Sequence, residues 1–198
     1  MSISTPLPPS QPDPASPFGI EQNANIRTID DYLGRSDAVY RDVRMMFDTA
    51  DFTAMGGSSD ILKIIEGFKI ASYPLIGTLP PMPIGGAYRG ESLFEVSWGG
   101  GMGITEVTPR YRRSMQFLEE VFPRDKAIFL MCNAGGYASF TKALLVFLGW
   151  DPDRLYNIGG IGGYAGAKGV DIITTDEDGN RVYHLWRADN IIIDFEKM

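Results

Sequence analysis

The 198-residue chain has no second cysteine and no second histidine. A single cysteine excludes an internal disulfide framework and a cysteine-based zinc site. A single histidine, His184, argues against metal catalysis through a histidine cluster. No stretch approaches the roughly 20 apolar residues of a membrane-spanning helix. Basic residues are also scarce: the net charge is -7, which argues against a nucleic-acid-binding face. The one local basic run, Arg110, Arg112 and Arg113, falls in a predicted helix and reads as a solvated face. The opening segment, MSISTPLPPSQPDPASP, has neither a basic start nor an apolar core, so it does not read as a signal peptide.

Hydrophobic residues make up 44% of the chain, enough for one domain with its own core. Residues 1–20 are rich in proline and serine and are expected to be an extended, poorly ordered head. Residues 21–168 form the predicted domain, and 169–198 a β-hairpin extension packed on it. If Met1 is the native start, the expected location is cytoplasmic. If an export signal precedes the head, it is the cell envelope. Oligomeric state is not legible in the sequence.

The pattern along the chain alternates. Residues 29–33 suggest a short helical element and 38–43 (AVYRDV) a strand. Gly56, Gly57, Ser58 and Ser59 break the chain, and 60–66 (DILKIIE) has helical apolar spacing. Residues 68–73 suggest a second strand. Residues 74–107 are rich in glycine and proline and read as a long irregular connection. Within it, Trp98 and Gly99-Gly100-Gly101 read as a surface loop or as a lid with glycine hinges. Thr108-Pro109 supplies an N-cap and a first-turn proline, predicting a helix over 108–121. Residues 127–131 (AIFLM) are wholly apolar, as in a strand covered on both faces. Residues 138–150 form a mostly apolar helix and 154–158 (RLYNI) another strand. This order predicts an α/β fold with a mostly parallel central sheet flanked by helices. In the tail, 171–175 and 181–186 flank Asp178-Gly179, a hairpin signal. That hairpin could cover a sheet edge or contact a partner.

Cys132 falls between the apolar strand and the apolar helix. A lone cysteine is most often an inert core residue, but this position changes the balance. Active sites in open α/β sheets gather at the carboxyl ends of strands. A glycine-containing loop there can turn successive N–H groups inward, and the next helix adds its positive end. Both favour a thiolate. Gly135 and Gly136 can adopt the angles such a loop needs.

The stretch FLMCNAGGYAS, with a following helix and LYNIGG, resembles the active-site strand, loop and helix of the rhodanese-like sulfurtransferase family. VYRDVR resembles that family's first strand, which ends in Asp-x-Arg, here Asp42 and Arg44. FPRDKAIFLMC resembles the stretch leading into its cysteine strand. The resemblance covers roughly residues 29–166. The chain also resembles a subgroup of exported bacterial rhodanese-like lipoproteins, although their lipidated cysteine is absent here. The resemblance implies a rhodanese fold and a Cys132 persulfide, with no cofactor and no metal. The sulfur would pass from a small-molecule donor, thiosulfate or a persulfide, to a thiol or cyanide. It implies that the loop from Asn133 through Ala134, Gly135, Gly136, Tyr137 and Ala138 cradles the terminal sulfur.

One departure stands out. The family commonly has an arginine where this chain has Tyr137, so the loop carries no cation. Thiosulfate is a dianion, and anion recognition recruits Arg or Lys. Lys142 and Arg44 are the candidates to supply that charge, and a persulfide or polysulfide is the better-suited donor. Asp42 and Arg44 can equally form a structural ion pair. A Cys-x5-Arg phosphatase would need Arg at position 138, which is Ala. Gly160-Ile161-Gly162-Gly163-Tyr164-Ala165 matches G-x-G-x-x-A, but no long helix follows, so it reads as a tight turn. His184 reads as a structural or surface residue, with a Cys132–His184 pair as the alternative. The alternative to an enzyme is a redox-sensing or sulfur-accepting binding module with little turnover.

Overall fold

The computed structural model describes residues 6–44, 63–81, 88, 90–100 and 103–198. Five parallel strands form the central sheet. They are β1 (Ala38–Asp42), β3 (Lys69–Ile70), β6 (Ala127–Cys132), β7 (Leu155–Gly160) and β11 (Asp189–Asn190), in the order β11-β3-β1-β6-β7. The α/β architecture expected from the sequence is present, and the sheet is wholly parallel. Three helices accompany it: α1 (Tyr73–Ile76), α2 (Ser114–Val121) and α3 (Gly136–Phe147).

The sheet is two-faced because side chains alternate along a strand. From β6, Ile128, Leu130 and Cys132 point into one core with Tyr73, Leu118, Phe140, Leu144 and Leu145. All three helices contribute to that face. Ala127, Phe129 and Met131 point the other way. There the expected helical layer is replaced by the irregular segment carrying Ala24, Ile29 and Tyr32, with a turn of 3-10 helix at Ile29–Asp31. Aromatic rings fill this thinner layer: Phe129 stacks on Tyr156 at 4.8 Å and on Tyr40 at 5.4 Å between centroids.

Several expectations are corrected. The helix predicted over 60–66 is instead β2 (Lys63–Ile65), paired antiparallel with β8 (Gly169–Asp171). Residues 60–62 and the Gly56–Ser59 break lie outside the described residues. Short apolar runs are ambiguous between the two states, and the β-branched Ile64 and Ile65 are both buried as a strand. The second strand is only Lys69–Ile70, because Tyr73 already begins α1. The connection over 74–107 is not irregular throughout: β4 (Phe94–Trp98) and β5 (Ile104–Pro109) pair antiparallel. Trp98 is therefore not on a lid. Its indole Nε1 donates to the Thr78 carbonyl at 2.9 Å, and its ring stands edge-on to Phe140. Gly101 lies outside the described residues.

Thr108-Pro109 does not start the helix, because both residues are held in β5, opposite Glu95 and Phe94. The helix starts at Ser114, whose hydroxyl accepts from the Tyr111 amide and donates to the Leu93 carbonyl. The arginine run thus precedes α2 rather than lying on it. The tail hairpin forms as β9 (Ile173–Thr175) and β10 (Arg181–Tyr183). The chain then returns to the main sheet, and Asp189–Asn190 pair with Lys69–Ile70. That strand covers the β3 edge, where open backbone would otherwise invite pairing.

The head is also corrected over residues 6–20. It is not loose but folded back, with a Pro12–Glu21 bridge and an Asp13 amide bonded to the Ile20 carbonyl at 2.8 Å. The Glu21 amide donates to the Asn157 carbonyl and the Ile26 amide to that of Ile158. The head and the segment after it thereby saturate the outer edge of β7. Among the described residues, no helix is long and apolar enough to cross a membrane.

Candidate active site

Cys132 is the last residue of β6, and Gly135 caps α3 with φ +100°. The first turn of a helix has backbone N–H groups with no intrahelical partner. Here the cysteine sulfur receives them. The Gly135 amide donates to Cys132 Sγ at 3.0 Å. The amides of Ala138, Ala134 and Tyr137 also act on the sulfur and favour its charged form. The thiol thus fills the place a serine or aspartate side chain takes at other helix N-termini. The partial positive charge of the helix end has the same sign of effect.

Burial works in the opposite direction and is larger. Cys132 is 1% exposed, and burial pushes its thiol above the ordinary value of 9.0 despite the four amides. The expectation of a lowered thiol pKa is therefore corrected for the closed site. Charging a sulfur with so little water around it costs more than the loop returns. Because the neutral form is favoured in the fold, the resulting stability is complete below the ordinary thiol pKa. It is lost as pH rises through the raised one. Alkylation of Cys132 by iodoacetamide should consequently rise with pH around a midpoint above 9.0; a midpoint near 7 in a stopped time course would contradict this balance.

Of the loop residues, Asn133 and Ala134 are exposed, whereas Gly135, Gly136, Tyr137 and Ala138 are buried. Tyr137 turns inward and is 7% exposed. Burial, with the neighbouring Cys132, pushes its hydroxyl up to about 12. Its ring lies 6.2 Å from that of Tyr73, whose hydroxyl is fully buried with no hydrogen-bond partner among the described residues.

The two candidate cations are both engaged. Lys142 Nζ donates to Glu21 Oε1 at 2.8 Å and to Ser10 Oγ at 2.9 Å. Glu21 is almost fully buried, and a buried carboxylate requires that partner. Lys142 is thus bound to the head, which corrects its reading as a charge offered to thiosulfate. Arg44 donates through Nε and Nη2 to Asp42 and through Nη2 to the Lys63 carbonyl at 2.9 Å. Asp42 is level with Met131, one residue before the cysteine, and the pair is a buried structural clamp on the strand end. His184 belongs to the tail hairpin, where Nε2 lies 2.8 Å from Thr174 Oγ1. Among the described residues, no group of three or more His, Cys, Asp or Glu side chains is placed to hold a metal ion.

Four residues that sequence reasoning did not assign to the site shape it. Asn157 bonds the loop, and Gly160 backs it so closely that a Cβ there would lie 2.1 Å from the Asn133 carbonyl oxygen. Phe18 and Ile20 of the head pack on Gly135. The LYNIGG string contained the first two, but nothing in it distinguished them from ordinary strand residues. Phe18 and Ile20 gave no signal, because they belong to a segment whose composition predicts disorder. A groove of about 520 Å³ runs between the head and α3, lined by Phe18, Ser139, Phe140, Lys142, Val146 and Phe147, but Cys132 does not line it. No family model, no curated protein and no solved structure matches the chain.

Proposed function

We propose that the chain is a sulfurtransferase of the rhodanese-like type, with Cys132 as its sulfur carrier. The reading is supported above all by the sulfur's placement: it ends a buried strand, and amides of the loop and of the first turn of α3 converge on it. In the first half-reaction Cys132 gives its proton to solvent, and the thiolate attacks the sulfane sulfur of the donor. A new S–S bond forms while the donor's own bond to that sulfur breaks. The leaving group, sulfite from thiosulfate or a thiolate from a persulfide, departs with the electron pair. The enzyme persulfide then carries a terminal sulfur anion that the inward amides can bind. In the second half-reaction a thiolate or cyanide attacks the terminal sulfur, and the electron pair of the broken bond returns to Cys132. This is nucleophilic covalent catalysis by cysteine.

The donor preference follows from charge. The loop has no cation, and Lys142 is held by Glu21. Among the described residues a dianion finds no unpaired positive side chain in the loop or at Lys142 and Arg44, so a persulfide or polysulfide should load Cys132 faster than thiosulfate. The runner-up reading, a redox-sensing or sulfur-accepting module, draws on the near-complete burial of the thiol. Intact-protein mass spectrometry separates the enzyme from a redox-sensing module, and repeated cycles of loading and cyanide discharge separate it from a sulfur acceptor with little turnover. The protein is incubated with thiosulfate and, separately, with glutathione persulfide, with Cys132→Ser as the control. A gain of one sulfur on wild type alone, removed by cyanide, is the expected result. If wild type takes up no sulfur from either donor while its thiol alkylates, the enzyme reading fails and the binding module stands.

A further inference from the structure

Gly135 donates the 3.0 Å N–H bond to the sulfur, and it is a glycine at positive φ. At φ +100° and without a Cβ, its peptide could turn at little cost. Something outside the loop has to hold it. The Ser139 amide reaches its carbonyl from inside α3 at 2.9 Å. The other bond comes from Asn157, whose Nδ2 donates to the same carbonyl at 3.0 Å.

Asn157 is fully buried, and its amide is used on both sides. Nδ2 also donates to the Phe18 carbonyl at 2.9 Å, and Oδ1 accepts from the Gly159 amide at 3.0 Å. A primary amide has two donor hydrogens, and both are committed here. The Gly159 bond has a local cause. The pairing of β6 with β7 slips between Leu130 and Met131, so that Ile158 has no opposite residue. Such a bulge disturbs the ladder locally, and Asn157 Oδ1 takes up a neighbouring amide. The Asn157 main chain accepts from the Glu21 amide at 2.9 Å. The side chain of Ile20 rests against both Gly135 and Gly159, 3.2–3.3 Å from where their Cβ atoms would be. One residue therefore joins the head, the bulge and the loop that carries the reactive sulfur.

We propose that Asn157 is a positioning residue for Cys132, and that the docked head is part of the device: Asn157 anchors the carbonyl side of Gly135, which limits how far the preceding peptide can swing its N–H off the sulfur, and Ile20 holds that arrangement closed. The inference rests on Cys132 being the reacting group of the proposed function. Undocking the head would leave one Asn157 hydrogen unpartnered and free Gly135 to turn. Thiol reactivity and head docking are thus one equilibrium.

The test measures iodoacetamide alkylation of Cys132 against pH in the full chain, for wild type, Asn157→Leu and Ile20→Ala. The leucine removes the amide without adding charge. The midpoint of the profile reads thiolate stabilisation, and its plateau reads access to the sulfur. Asn157→Leu should raise the midpoint by about one pH unit, a roughly tenfold lower fraction of thiolate at a fixed pH below it. Ile20→Ala should increase the plateau by opening the sulfur to water, and because that water offsets any loss of amide contact, its midpoint should shift less than that of Asn157→Leu. A role confined to packing would lower the melting temperature and leave the midpoint in place. A folded Asn157→Leu protein with the wild-type midpoint overturns the proposal. If that variant does not fold, the smaller Asn157→Ala takes its place and an unchanged midpoint there overturns it equally, while an unchanged plateau in Ile20→Ala overturns the part given to the head. Alkylation needs no sulfur donor, so a wild-type protein that never takes up sulfur defeats the proposed function without touching this comparison.

Discussion

Replacing Asp42 by Ala is expected to lower the stability of the fold by about 3–5 kcal/mol, the range for stranding one partner of a buried ion pair. Asp42 is fully buried at the end of β1, and Arg44, two residues on, is 5% exposed. The carboxylate accepts from the Arg44 backbone amide at 3.1 Å and from the guanidinium through Nε and Nη2. Without it, a guanidinium that cannot lose its proton at neutral pH stays in the interior. Its contact with the Lys63 carbonyl is to a neutral acceptor and does not balance the charge. For a chain of this length the loss corresponds to a fall in melting temperature of roughly 10 °C. The double variant Asp42→Leu with Arg44→Met removes both charges, and it should lie within about 1–2 kcal/mol of wild type. Chemical denaturation of the two variants checks the pair. If Asp42→Ala costs less than about 1 kcal/mol, the clamp does not hold the strand end.

The parallel core of this fold was legible because its strand β6 is short and continuously apolar. AIFLM has no polar residue, and every residue of β6 is buried. The same period argument failed for KII at 63–65, where three residues cannot distinguish a helix turn from a strand. Thr108-Pro109 failed for a different reason. Its cap chemistry is sound locally, but pairing with Phe94–Trp98 outweighs local propensity, and proline is tolerated at the end of an edge strand. The alternation in FEVSW and ITEVT around a glycine run was the available sign of that hairpin. The head was misread on composition. Proline-rich segments usually stay loose because they bury little, whereas here Glu21, Ile20 and Phe18 give the segment a buried ion pair and two contacts on the Cys132 loop.

At the site, chain position located the cysteine and its loop, since both follow from strand, glycine turn and helix. The sign of the thiol's pKa did not follow, because it depends on how much water reaches the sulfur, and that is set by elements distant in sequence. Charge assignment failed for the same reason. Lys142 stands one turn beyond the loop in sequence, but its partner lies 121 residues away at Glu21. A sequence offers cations as candidates; only packing decides which of them are already paired.

On the proposed function, Gly160→Ala should be the most damaging small substitution at the site, cutting sulfur uptake by roughly 10²-fold, the scale for displacing a catalytic group by about 1 Å. Gly160 is opposite Cys132 in the β6–β7 pairing. Its φ of -118° is open to any residue, so backbone strain is not the cause. Space is. An added Cβ would lie 2.1 Å from the Asn133 carbonyl oxygen and 2.6 Å from Ala134 Cα. Both are main-chain atoms, so no side chain can swing aside, and the loop must move outward from the strand. The Ala134 and Gly135 amides move with it, while Cys132 remains fixed in the sheet. The amide cradle and the sulfur then part company, and the terminal sulfur of a persulfide loses its anion contacts. Gly162 is the matched control, because a Cβ there meets nothing within 4 Å. The rate of mass gain from glutathione persulfide in Gly160→Ala, Gly162→Ala and wild type reads the effect directly. Uptake by Gly160→Ala at the wild-type rate would mean that sulfur transfer does not depend on where the loop amides stand. The chemistry would then have to be sought in the accessibility of the thiol alone.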